Sequence, residues 1–275
     1  MNYINCKNSL PPEALRKSIV FWCENSSQHI ASLISSFKGS SAVLSEDFLT
    51  ELKDIELIFK SIYNEYSSQK TALPSHPAIL FKTNMRFIKL LERMKLEGAS
   101  GYPLLQQTVH HYIFEQNYLN AIFGVTASPI DLLITVRFLP FYSNSCVYNQ
   151  MYFWSVIGAM HPSLLLNSDE FNKAINGYSR EYLRDTVNAF NKICYRLSSM
   201  RKRTNKKELS GIFNDFRQQN LDFLSFLDAA VKLSPKVYAS TTAPRLSTSF
   251  YKKAEHIIAE HTIVRELCDG IAEIF

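Results

Sequence analysis

The chain has 275 residues, enough for one large hydrophobic core or two of ordinary size. Its 46% hydrophobic and 13% aromatic content excludes intrinsic disorder, while a formal charge of +5 is too mild to mark a nucleic-acid binder. Only eight glycines occur, which disfavours a sheet-rich fold with many tight turns and predicts an all-α protein.

The first predicted helix runs from Pro12 to Phe37, with Ile19, Trp22, Ser26, His29 and Leu33 recurring at spacings of three and four on one face. Gly39 and Ser40 end it. Ser45 caps a second helix that carries Phe48, Leu52, Ile55, Phe59 and Ile62 inward, and Glu46 and Asp47 suit the positive end of its dipole. The segment from Leu73 to Pro77, which holds the loop-like His76, breaks that helix. A third follows from about Ile79 to Glu97, with Phe87, Leu90, Leu91 and Met94 as its apolar stripe and Gly98 as its stop. The fourth begins after Pro103 and ends near Gly124.

The stretch from Pro129 to Tyr142 is the most apolar in the chain, yet Asp131, Arg137 and Pro140 make it a connector rather than a membrane span. The second half then repeats the order of the first. Phe153-Trp154 opens a helix as Phe21-Trp22 does, and each tryptophan is followed seven positions later by a histidine, His29 and His161. Ser45-Glu46-Asp47-Phe48 has its counterpart in Ser168-Asp169-Glu170-Phe171, and Asn84 through Glu92 in Asn220 through Asp228. His111-x-x-x-Glu115 pairs with His256-x-x-x-Glu260, with Leu119 and Val264 continuing the same face. The expected organisation is two tandem four-helix bundles produced by internal duplication, one over residues 1–128 and one over 129–275.

Residues four apart on a helix lie one turn apart on one face, so His111 with Glu115, and His256 with Glu260, each present an imidazole and a carboxylate together. His29 or His161 from the first helix of the same half completes two imidazoles and one carboxylate, a ligand mix that suits iron, manganese or zinc. Glu24, Glu56, Glu181, Asp185 and Asp222 are the candidate carboxylates for a second ion. His110 and His261 flank the pairs as outer-sphere or surface groups. The two tryptophans read as core anchors.

The paired Phe-Trp-x6-His first helices and His-x-x-x-Glu last helices resemble those of the Bacillus cereus metalloprotein-like proteins, a domain family of unknown function, over nearly the whole chain. That resemblance implies a duplication of two four-helical bundles with a binuclear metal site in one of them. It places His29, His111 and Glu115, or His161, His256 and Glu260, at the metal-bearing positions. The family tends to carry an acidic residue immediately before the first-helix histidine, where this chain has Gln28 and Met160, and Pro162 directly follows His161.

No Gly-rich phosphate loop, nucleophile elbow, kinase signature or deaminase signature occurs, so no organic cofactor and no particular reaction are indicated. The basic run Arg201, Lys202 and Arg203 with Lys206 and Lys207 reads as a solvated loop, and no nucleic-acid partner is expected. Cys6, Cys23, Cys146, Cys194 and Cys268 are odd in number and lack CxxC spacing. With no leader-like opening and no apolar run of ~18 residues, a cytoplasmic location is expected. The leading functional expectation is a metal-binding helical protein with a mono- or binuclear His/Glu centre. The alternative is a metal-free helical scaffold or protein-interaction module whose partner the sequence does not name.

Overall fold

The computed structural model describes residues 12–38, 45–68, 77–97, 102–127, 146–169, 171, 177–200, 206–238 and 248–272. Their regular structure is helical throughout, with no strand among the described residues. The eight long helices are α1 Pro12–Lys38, α2 Glu46–Ser68, α3 Pro77–Glu97, α4 Pro103–Ala127, α5 Cys146–Leu166, α6 Gly177–Ser199, α7 Lys206–Tyr238 and α8 Thr248–Ala272. The connector from Pro129 to Tyr142, the basic run Arg201 to Arg203, His76, Cys6 and the stop residues Gly39, Ser40 and Gly98 lie outside the described residues.

Helix starts follow local chemistry. Three helices open on proline, at Pro12, Pro77 and Pro103, where a missing N–H costs nothing because the first turn has no intrahelical acceptor for it. Ser45 caps α2: its Oγ accepts the Phe48 N–H at 3.3 Å, with Glu46 and Asp47 in the first turn. The Ser168 hydroxyl likewise accepts the Phe171 N–H at 3.4 Å, yet the long helix α6 begins only at Gly177. The expected cap forms, with Asp169 and Phe171 helical directly after it, and residues 172–176 lie outside the described ones. Helix α5 continues through Pro162 to Leu166. Proline there removes the N–H that would reach the Gly158 carbonyl one turn earlier.

The chain divides into two compact units, one containing α1–α4 and the other α5–α8. In the first unit α1 packs on α2 and α4, and α3 packs on the same two helices, so each helix touches two neighbours. In the second, α5 packs on α6 and α8, and α7 packs on α6 and α8, with a further contact between α5 and α7. The apolar stripes face inward as their spacing requires: Ile19, Trp22 and Leu33 of α1, Phe48, Leu52, Ile55, Phe59 and Ile62 of α2, and Phe87, Leu90, Leu91 and Met94 of α3 are all buried. Each such large side chain contributes about 1.5–3 kcal/mol by leaving water. The two Phe-Trp pairs adopt nearly the same edge-on geometry, with ring centroids 5.1 Å apart at 69° for Phe21–Trp22 and 4.9 Å apart at 71° for Phe153–Trp154.

Helix α4 breaks the simple apolar-inside rule. Thr108, His111, Glu115, Gln116 and Asn120 are all buried on it, and Gln150, Ser155 and His161 are buried on α5. Polar groups inside an apolar shell must find partners there. Thr108 and Ser155 bond the carbonyl one turn back on their own helices, whereas His111, Glu115, Gln116 and His161 belong to the site described below.

At Gly158 helix α5 lies close against α6: a Cβ built there would stand 2.7 Å from two atoms of the fully buried Phe190 ring. Gly158→Ala is expected to destabilise the protein, because overpacking of about 1–3 kcal/mol exceeds the ~0.5–1 kcal/mol that alanine gains in a helix. Exposed Gly211 of α7 has nothing within 4 Å of its notional Cβ. Gly211→Ala should therefore stabilise by about 0.5–1 kcal/mol. Chemical denaturation of the two variants checks the opposite signs.

Candidate metal centre

In the first unit α1 supplies His29 and α4 supplies His111 and Glu115. The Glu115 carboxylate stands between the two imidazoles: His29 Nε2 is 3.1 Å from Oε2 and His111 Nε2 is 3.3 Å from Oε1. All three side chains are buried, Glu115 to 0% exposure. The His29 ring stacks on Tyr112, centroids 3.8 Å apart at 18°, and meets His111 edge-on at 6.2 Å. The i,i+4 spacing on α4 is what puts His111 and Glu115 one turn apart on its inward face.

The same plan recurs in the second unit. His161 Nε2 of α5 lies 2.9 Å from Glu260 Oε2, and His256 Nε2, four residues before Glu260 on α8, lies 3.2 Å from Oε1. His161 and Glu260 are buried, and His256 keeps 12% of its side chain exposed. The structure thus brings together, three by three, all six residues expected from the sequence to ligate.

A second layer of polar groups surrounds each triad. In the first unit Asn84 Nδ2 of α3 donates to the Gln116 carbonyl at 2.7 Å and to Asn120 Oδ1 at 2.8 Å. Gln116 lies 3.4 Å from His29 Nδ1, and Ser26 Oγ donates to its Oε1 at 3.1 Å. In the second unit Asn220 Nδ2 of α7 donates to the His261 carbonyl at 3.0 Å, its Oδ1 lies 2.6 Å from His261 Nδ1, and His261 Nε2 lies 3.0 Å from His161 Nδ1. Phe223 closes on the His261 ring edge-on at 4.8 Å.

Electrostatics follow from these contacts. Burial by itself would raise the Glu260 carboxyl, but His256 and His161 hold it well below the usual carboxylate range. Burial, reinforced by His161 and opposed by Glu260, pushes His261 well below the ordinary imidazole value, so it is neutral. Burial raises the Cys23 thiol strongly and pushes Cys194 and Cys268 up to about 12, so all three are protonated thiols at neutral pH.

The carboxylates considered for a second ion are placed elsewhere. Glu24, Glu181, Asp185 and Asp222 are exposed, and Glu56 pairs with Lys60 at 2.6 Å. His110 is exposed, with its pKa lowered by partial burial and by Lys95. Gln28 is also exposed, and Met160 is half-buried. Of the two alternatives open for the flanking histidines, the surface one holds for His110 and the outer-sphere position for His261, which is buried against His161. His261 directly follows Glu260, as Gln116 directly follows Glu115.

Chemically, two imidazole nitrogens and a carboxylate oxygen are ligands for a borderline divalent ion. With metal–ligand bonds of about 2.0–2.1 Å, tetrahedrally arranged donor atoms stand about 3.3 Å apart. The observed nitrogen–oxygen separations lie close to that value. The buried His and Glu side chains offer atoms that could hold a metal ion. No family model, curated protein or solved structure matches the chain. Among the described residues no helix is long and apolar enough to cross a membrane.

The depressed pKa values set a pH dependence. Stability from His261 is complete above its unfolded value of about 6.5 and is lost as pH falls below it, because the unfolded chain takes up a proton that the folded chain refuses. Stability from Glu260 is present above about 4.3 and is lost at lower pH, as the carboxyl protonates. In chelator-treated protein the unfolding free energy should therefore fall between pH 7 and 5, by at most ~1.4 kcal/mol per pH unit from His261. His261→Gln should flatten that slope. Equal slopes in denaturation at pH 7, 6 and 5 would contradict the assignment.

Proposed function

We propose that the protein is a duplicated pair of four-helix bundles that binds transition-metal ions through His29, His111 and Glu115 and through His161, His256 and Glu260. The reading extends the resemblance to the Bacillus cereus metalloprotein-like proteins. The supporting observation is that each glutamate, buried to 0% exposure, is approached by the Nε2 atoms of two imidazoles. A buried carboxylate demands a positive charge close by. A divalent ion meets that demand and uses both nitrogens as well.

Iron, manganese and zinc all accept this donor set. Two imidazoles and one carboxylate leave at least one coordination position for water or a small ligand. When bound, the ion would supply Lewis-acid or, for iron and manganese, redox chemistry. The protein's own residues would orient the two rings, shield them from solvent and keep the carboxylate ionised.

A metal-free scaffold is the competing reading, and the same short separations favour it to the extent that N–H···O hydrogen bonds also span about 3 Å. The compensating charge is then a proton on one imidazole of each triad. Elemental analysis separates the two readings. Untagged protein reconstituted anaerobically with iron, manganese or zinc should retain near-stoichiometric metal, and Glu115→Gln with Glu260→Gln should abolish it while leaving the helical circular dichroism in place. Metal-free wild-type protein after reconstitution would leave the scaffold reading standing.

A further inference from the structure

We infer that His261 and Asn220 are positioning residues that present the unprotonated Nε2 of His161 to a divalent transition-metal ion, and that the second unit consequently binds such an ion more tightly than the first. This rests on the metal-binding reading above and extends it to residues outside the triads.

The argument is one of hydrogen counting. Asn220 Nδ2 donates to the His261 carbonyl, which orients the amide and leaves Oδ1 as the acceptor 2.6 Å from His261 Nδ1. His261 Nδ1 therefore carries the hydrogen. A neutral imidazole has one ring hydrogen, so His261 Nε2 is an acceptor, and the His161 Nδ1 that faces it at 3.0 Å must be the donor. The neutral form of His161 then has a lone pair on Nε2, aimed at Glu260 Oε2 only 2.9 Å away. Lone pair and carboxylate repel unless a cation lies between them. Ligating histidines commonly have this wiring, with the far ring nitrogen donating to an outer acceptor that fixes the tautomer.

The first unit is wired differently at the matching position. Gln116 replaces His261, and its amide nitrogen faces His29 Nδ1 while Ser26 donates to its oxygen. An amide nitrogen only donates, so His29 Nδ1 is the acceptor and the ring hydrogen sits on Nε2, directed at Glu115 Oε2 3.1 Å away. In that state a proton occupies the place a metal would take. Turning the Gln116 amide end for end accommodates the other tautomer, so glutamine does not enforce either. Asn84 Oδ1, the counterpart of the acceptor that orients His261, is buried and has no hydrogen-bond partner among the described residues. The first unit retains the acceptor and lacks the imidazole it would serve.

Cobalt(II) titration of the chelator-treated full-length chain, followed by visible absorption and calorimetry, tests this. Wild type should show a tighter and a weaker class of site, the tighter one lost in His161→Ala and retained in His29→Ala. His261→Gln should weaken the tight class by about 10–100-fold, within the range typical of lost outer-sphere partners. Gln116→His should strengthen the weak class and alter its d–d spectrum, a gain that a purely structural role would not produce and that does not depend on His261→Gln folding well. Unchanged cobalt affinities in both variants, or loss of the tight class in His29→Ala instead, would overturn the inference while leaving metal binding intact. Absence of cobalt binding in wild type would overturn both.

Discussion

A carboxylate with no exposure to water is the constraint around which both units are arranged. Glu115 and Glu260 each lie at 0% exposure, and an ionised carboxyl moved out of water costs several kcal/mol unless a charge and donors compensate it. The polar side chains around them supply part of that compensation. The imidazoles meet the carboxylates directly, and the amides of Asn84, Gln116 and Asn220 hold the imidazoles or the backbone beside them. The apolar stripes provide the driving force for packing. The polar centre fixes which packing is compatible with a satisfied interior.

That division of labour explains what is legible in the sequence. The helices read clearly because Leu, Ile and Phe recur every three to four residues on α2 and α3, and the observed bounds of α1 and α3 differ from the expected ones by no more than two residues. His111 with Glu115 and His256 with Glu260 stand out through i,i+4 spacing, and His29 and His161 through their equal distance from a tryptophan. The outer layer does not stand out. His110 and His261 both neighbour a triad residue, but the first precedes a histidine and the second follows a glutamate. Successive helical residues point about 100° apart, so opposite offsets send one ring to solvent and the other into the core. Composition carries no trace of that sign.

The carboxylates proposed for a second ion show the complementary failure. Glu24, Asp185 and Asp222 lie on helices that do face the centre, but on their outer faces, where spacing without a phase reference cannot place them.

Phe190 links two features that seem separate. Its ring fills the notch left by the missing side chain of Gly158 and also lies 6.3 Å from the His261 imidazole. The close approach of α5 to α6 and the surroundings of the His261 imidazole therefore share the same ring. Glycine at that position thus bears on the buried polar centre from one helix away, through what looks like ordinary hydrophobic core.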